Sequence, residues 1–335
     1  MKHRNFDRRK ALQRIAGAGA ACLLPGRVAW AQKPNYPNKP IRFIVPFNPG
    51  GATDTLARVL ARSMAATLGQ PIVVENKSGA SGMLGTDQVA KAAPDGYTFA
   101  ISLSTSLLIN QFLYAKMAYN PRKDLLMLSQ IAAAPVTLVV HPGVPANDIR
   151  ELLAWVAANK GKVSYGSWGV GSYAHLAGAY MSKTTRSDMA HVAYKGESPM
   201  IQDLIGGQLQ VCFSSAQNTK PFIENGRLKA IGVTGTQRMT ILPDVPTIHE
   251  QGVTDNAYSI FGWAGMAAPA GTPEDVVRQV HAALMKASQD AAVQETITSA
   301  GFMPVFSTPA EFSRAYARDV PIWQELIKIA DARID

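Results

Sequence analysis

From residue 41 to residue 235, short apolar runs closed by proline or glycine alternate with segments whose apolar residues recur once per helical turn. This alternation constrains the fold most, because a strand–helix–strand order calls for a mainly parallel sheet covered by helices. Residues 41–45 form an apolar run ended by Pro46. Residues 53–68 then read as a helix, with Leu56, Leu60, Met64 and Leu68 one turn apart and Gly69 as the stop. A strand at 72–75, a glycine-rich turn at 78–85, a helix to Ala93 and a strand at 97–103 after Pro94-Asp95-Gly96 continue the pattern. A strand at 136–141 and a helix at 148–159 follow. Beyond them, strands are expected near 163–167, 190–194, 209–214 and 229–234, and helices near 173–183, 199–206 and 218–225. A strand at 265–268 precedes two helices. Thr272-Pro273-Glu274 and Thr308-Pro309-Ala310-Glu311 open them, each with a capping hydroxyl and a proline at the first position. Pro321 is expected to kink the second. No low-complexity linker interrupts the chain, so two lobes would be joined by strand-like crossings near 133–139 and 261–266.

The chain has 335 residues, is 47% hydrophobic and carries a formal charge of +9. It can bury two cores. The charge invites a nucleic-acid reading, but residues 1–31 hold seven basic residues against Asp7 alone, leaving +3 for the rest. No basic cluster interleaved with aromatics remains there, so no nucleic-acid partner is expected. Residues 1–31 read as an export signal: a basic start, a weakly apolar stretch and an Ala29-Trp30-Ala31 cleavage pattern. Arg8-Arg9 leaves the twin-arginine and general export routes both open. Cys22 lies inside the signal. Cys212 is then the only mature cysteine, a small buried hydrophobe in Val211-Cys212-Phe213, and no disulfide or metal site is expected.

Two turns carry the functional signal. Tyr165-Gly166-Ser167-Trp168-Gly169-Val170-Gly171-Ser172 joins a strand to a helix, and so does Phe47-Asn48-Pro49-Gly50-Gly51-Ala52-Thr53-Asp54. Such turns aim orphan amides and a helix dipole at one point, which favours a negatively charged group. Phe47, Gly50 and Gly51 would approach a ligand carboxylate in the first turn. Asp54 would cap the helix or accept from a ligand amine or water. Ser104 and Thr105, beyond the third strand, can donate to a carboxylate or cap a helix. In the second turn Ser167, Trp168, Gly171 and Ser172 are candidates, and His175 either faces the cleft or is buried against backbone. Tyr194 and Gly196 could touch the ligand from the next strand end, while Ser214 and Ser215 are weaker candidates. No orienting acid accompanies Ser172 and His175, and no G-x-S-x-G elbow exists. Binding is therefore favoured over catalysis, and no cofactor or metal is implied.

These residues resemble the periplasmic solute-binding proteins of tripartite tricarboxylate transporters, the Bug or TctC-like family. The resemblance spans the whole mature sequence. It rests on Ile44-Val45-Pro46-Phe47 with Pro49-Gly50-Gly51 and Asp54, on Val74-Glu75-Asn76, Gly79-Ala80-Ser81-Gly82 and Asp95-Gly96-Tyr97-Thr98. It continues through Tyr165-Gly166-Ser167, Gly171-Ser172, His175-Leu176, Tyr194-Lys195-Gly196, Leu242-Pro243-Asp244-Val245-Pro246-Thr247 and Ala268-Pro269-Ala270-Gly271-Thr272-Pro273. It implies a type II periplasmic-binding-protein fold, an α/β architecture with two βα lobes, a central cleft and strand-like hinge crossings. Residues 32–138 plus 263–335 would form the first lobe and 139–262 the second. It also implies a periplasmic monomer that closes over a small carboxylate and hands it to membrane permease subunits. A sensor of the same ligand reporting to a membrane kinase, or a serine hydrolase using Ser172, are the alternatives.

Overall fold

The computed structural model describes residues 36–334; the expected export signal, its arginine pair and Cys22 lie outside the described residues. In chain order the strands are β1 (Ile41–Val45), β2 (Ile72–Asn76), β3 (Thr98–Leu103), β4 (Leu125–Ala134), β5 (Thr137–Val140), β6 (Ser164–Ser167), β7 (Ala190–Ala193), β8 (Val211–Ser214), β9 (Lys229–Val233), β10 (Gly262–Pro269) and β11 (Met303–Pro304). The helices are α1 (Ala52–Leu68), α2 (Met83–Ala90), α3 (Asn110–Leu113), α4 (Ile149–Ala158), α5 (Tyr173–Thr185), α6 (Glu197–Ile205), α7 (Ala216–Glu224), α8 (Asn256–Ser259), α9 (Glu274–Ala287), α10 (Ala291–Ser299) and α11 (Pro309–Ile329).

The strands form two sheets, ordered β11-β4-β10-β3-β1-β2 and β7-β6-β8-β5-β9. The two orders repeat one plan. Each has a parallel triplet, β2-β1-β3 or β7-β6-β8. Each triplet is followed by an antiparallel strand arriving from the other sheet, β10 or β5, and then by β4 or β9. The chain crosses between the sheets at Pro135-Val136 and again just before β10. The two crossings lie side by side, since Gly262 pairs with Ala134. The parallel triplets need helices on both faces, which the strand–helix alternation supplies. Neither sheet is mainly parallel as the alternation suggested, because the strands that cross from the other sheet, and those beyond them, pair antiparallel.

Local chemistry explains most boundaries. Helix α1 buries Leu56, Leu60 and Met64 and ends where Gly69, at φ 68°, turns left-handed and donates to Ala65 O. Helix α11 opens with a capping box: Thr308 Oγ1 accepts from Glu311 N, and Glu311 accepts from Thr308 N. Thr272 departs from its expected role. Its hydroxyl donates to Pro269 O at 2.7 Å, and Pro273 occupies the cap position of α9. A turn hydrogen bond therefore takes the side chain that a cap would have used. Helix α6 starts at Glu197 behind Gly196, two residues before the expected start.

Strand β4 has no clear sequence signal, because it ends in three alanines and contains Ser129-Gln130. Its neighbours decide it. It pairs with β10 and β11, and Ser307 ties it further through Ser129 Oγ–Ser307 O at 2.8 Å and Gln130 N–Ser307 Oγ at 2.9 Å. Helix α11 runs through Pro321 and touches both sheets' surroundings. Phe312 meets the Trp263 ring of β10 at 4.9 Å, and Trp323 meets Tyr173 of α5 at 5.9 Å. Cys212 is buried in β8, where burial first and the Glu197 charge second push its thiol up.

Candidate functional site

Between the two sheets lies a cavity of about 480 Å³. It sits beyond the carboxyl ends of β3, β6 and β8, where parallel strands hand over to helices. Leu103, Ser104 and Thr105 line it from the β3 end, the 168–173 turn from the β6 end, and Ser215 from the β8 end. Its body is apolar, with Phe47, Trp168, Trp263, Phe302 and Trp323 in the wall. Among the described residues, Glu197 is the single lining residue with a formal charge, and no lysine or arginine lines the cavity. An anion held here would therefore rest on uncharged donors: hydroxyls, and the first-turn amides of α5, which have no intrahelical acceptor.

Seven of the sequence candidates meet at this cavity: Phe47, Ser104, Thr105, Trp168, Gly171, Ser172 and the weaker candidate Ser215. Ser104 Oγ accepts from Trp263 N at 3.3 Å, which leaves its proton available. Ser172 caps α5, accepting from His175 N at 3.4 Å. Gly171 sits at φ 77°, and a Cβ there would lie 2.5 Å from Leu113 Cδ1. The turn after β6 therefore presses directly on helix α3 of the opposite sheet. Gly301, beside β11, lies close to Gln217 at the start of α7 in the same way.

The other candidates lie elsewhere. Gly50 and Gly51 are exposed and do not line the cavity. Asp54 is buried and fully engaged: Oδ2 accepts from Gly50 N at 2.8 Å and Arg58 Nε at 3.0 Å, and Oδ1 accepts from Asn76 Nδ2 at 2.9 Å. Burial pushes its carboxyl up, but the Arg58, Gly50 and Asn76 hydrogen bonds outweigh this and hold it below the usual range. Ser167 is buried under the second turn, its Oγ 2.7 Å from His191 Nε2 and bonded to Gly169. Tyr194 donates its hydroxyl to Asp203 Oδ2 at 2.7 Å, and Gly196 precedes α6.

His175 is buried against backbone. Its Nδ1 accepts from Gly171 N at 3.2 Å, and its ring stacks on His191 at 4.0 Å. Burial, then the neighbouring His191, pushes its pKa down to about 4, so it is neutral at pH 7. Its side chain makes no hydrogen bond to the Ser172 hydroxyl. The nucleophile–base pair that a hydrolase needs is not assembled.

Sequence reasoning missed several lining residues. Asn110 follows a wide π turn (Thr105–Ile109), is fully buried and donates Nδ2 to Ser81 O at 3.0 Å. Its Oδ1 has no partner, and neither does Trp323 Nε1. Trp263, Phe302 and Trp323 come from the last quarter of the chain, brought in by β10, the segment just before β11, and α11. No local pattern marks such residues as lining. Glu197 follows Tyr194-Lys195-Gly196 and had a local signal, an acid at a helix start. Among the described residues no metal-binding cluster occurs, and no helix is long and apolar enough to cross a membrane.

Residues 56–331 match the sequence model of the tripartite tricarboxylate transporter family receptor. The chain is 35% identical over 324 residues to a UPF0065 protein in the tcbD-tcbE intergenic region of Pseudomonas sp. (strain P51), covering 96% of this chain and 94% of that one. The solved structure of periplasmic binding protein BugD is 35% identical with a TM-score of 0.70, covering 89% of this chain and 99% of that one. R. palustris Rpa4515, solved with adipate, is 29% identical with a TM-score of 0.73, covering 89% of this chain and 100% of that one. The repeated strand order and these likenesses agree on a periplasmic-binding-protein fold.

Proposed function

Because the chain belongs to the tripartite tricarboxylate transporter receptor family, whose members are substrate receptors rather than enzymes, we propose that it captures a small organic acid and delivers it to membrane permease subunits. The observation that carries this reading is the uncharged donor set at the α5 N-terminus, facing Ser104 and Thr105 across a largely apolar cavity. The ligand's carboxylate lies against Ser172 and the first amides of α5. Residues 32–138 plus 263–335 move as one lobe and 139–262 as the other, about the paired crossings at Ala134 and Gly262. The Gly171–Leu113 approach is the contact made on closing. The protein works as a monomer in the periplasm, exported by the signal at 1–31.

Charge-assisted hydrogen bonds contribute about 1.5–3 kcal/mol each, so three or four support roughly micromolar affinity once ordering is subtracted. Isothermal titration of the mature protein against dicarboxylates, amino acids and aromatic acids tests the reading. Micromolar binding of at least one acid is expected. Silence across the panel would remove the carboxylate assignment.

A further inference from the structure

Glu197 is an unusual wall residue for a cavity that takes an acid. It opens α6, yet its carboxylate reaches the start of α7. Oε2 accepts four hydrogen bonds there: Ser214 Oγ at 2.8 Å, Ser215 N at 3.2 Å, Ser215 Oγ at 2.6 Å and Asn218 Nδ2 at 2.7 Å. Ser215 is the cap residue of α7. The anion position at that helix end is thus filled by the protein's own carboxylate. A ligand carboxylate is excluded from it by occupancy and by like charge.

Oε1 of the same group accepts no hydrogen bond from the protein. No ion pair among the described residues involves Glu197. A second acceptor, Asn110 Oδ1, is buried in the lining and also lacks a donor. The same lining also holds the donors Ser104 and Ser172, and Trp323 Nε1 is unpartnered as well. The lining therefore offers acceptors without a donor as well as donors, among the apolar side chains Trp168, Trp263 and Phe302.

Resting on the proposed carboxylate reading, we infer that the cleft selects a zwitterion: an acid that also carries an amine on an apolar body. Glu197 is the specificity determinant that reads the amine and rejects dicarboxylates. An ammonium in this apolar setting pairs with Oε1 and neutralises a charge the protein leaves without a counterion. A second carboxylate in that place meets Glu197 at close range, with no basic residue in the lining to compensate.

The test uses length-matched probes. Adipate and 6-aminohexanoate differ only at one terminus, and so do terephthalate and 4-(aminomethyl)benzoate. Titration calorimetry compares each pair on the mature protein and on Glu197→Gln. The variant keeps the shape of the side chain and an oxygen for the Ser214, Ser215 and Asn218 donors, and an affinity ratio within one protein is independent of how much of it folds. The expected result is at least a tenfold preference for the amine member on the unmodified protein, collapsing or reversing on Glu197→Gln. Equal or tighter binding of the dicarboxylates to the unmodified protein, with the ratio unmoved by Glu197→Gln, overturns the inference and leaves the carboxylate reading standing. Binding of none of the four probes to either protein removes both.

Discussion

The turn before α1 and the turn before α5 have one backbone design and opposite chemistry. Each follows a strand, passes through a left-handed glycine (Gly50 at φ 80°, Gly171 at φ 77°) and opens a helix. In the first, the Gly50 N–H is taken by the Asp54 carboxylate, which Arg58 and Asn76 also hold. In the second, the Gly171 N–H is taken by a neutral imidazole, His175. The first turn is exposed and reaches the cavity only through Phe47; the second lies in the wall. The difference shows that a helix N-terminus keeps amides free for an outside anion only where the chain supplies no carboxylate of its own. The α7 terminus, filled by Glu197, obeys the same rule.

Substitutions can break or sharpen this contrast. The largest effect is expected at Gly171. Alanine there adds left-handed strain of about 1–2 kcal/mol and crowds Leu113, so ligand affinity should fall tenfold to a hundredfold. Gly50→Ala carries the same strain with nothing within 4 Å of its Cβ. It should lower stability by a similar 1–2 kcal/mol and leave affinity unchanged. Equal affinity losses in the two variants would mean the turns are functionally equivalent.

Next comes Asp54→Ala, which strands the Gly50 amide and Asn76 Nδ2 and frees a half-exposed Arg58. Urea unfolding should report a loss of about 2 kcal/mol, with most of it from the lost, partly buried hydrogen bonds rather than the screened ion pair. Ligand titration should be unaffected; a matching affinity loss would place the first turn back in the site.

The pH dependence follows from His175. Its folded pKa of about 4 lies below the unfolded value of about 6.5, so the unfolded chain takes up the proton first as pH falls. The contribution is complete above about pH 6.5 and is lost progressively toward pH 4, reaching about 2 kcal/mol at pH 5. Denaturant unfolding at pH 8 and pH 5 should therefore show a smaller drop, by that amount, in His175→Gln. Parallel pH profiles would place the titrating group elsewhere. The smallest change is Ser172→Ala, which removes the α5 cap and one donor. It should reduce stability by about 1 kcal/mol and affinity about fivefold. A stability loss without an affinity loss would leave Ser172 as a cap alone.

Most helices and strands were legible because their signals are local, although α3, α8 and α10 were not expected. The one-turn spacing of Leu56, Leu60 and Met64 and the Thr308–Glu311 capping box act within a few residues, and both are present as expected. Strand β4 was not legible, since its sequence is neutral and its partners lie more than 100 residues away. The second turn could be read as part of the cavity because the strand end and helix start that build it are contiguous. The first turn could not be separated from it by pattern. Only the bond from Gly50 to Asp54, and the placement of Gly50 and Gly51 outside the cavity lining, distinguish the two.

The alternation of apolar runs and amphipathic segments by itself determined the helix-covered parallel triplet of each sheet, because periodicity and stop residues act at short range; the antiparallel strands that complete both sheets were decided by the crossings. It also determined that glycine and serine turns would stand at strand ends. Which of those turns lines the cavity was decided in three dimensions. Trp263, Phe302 and Trp323 arrive from the far end of the chain to wall the cavity, and Asp54 and Glu197 fill two helix termini with the protein's own charge. The physical reason is that a site is a balance of partnered and unpartnered polar groups, and partnership across more than a helical turn is fixed only by tertiary packing.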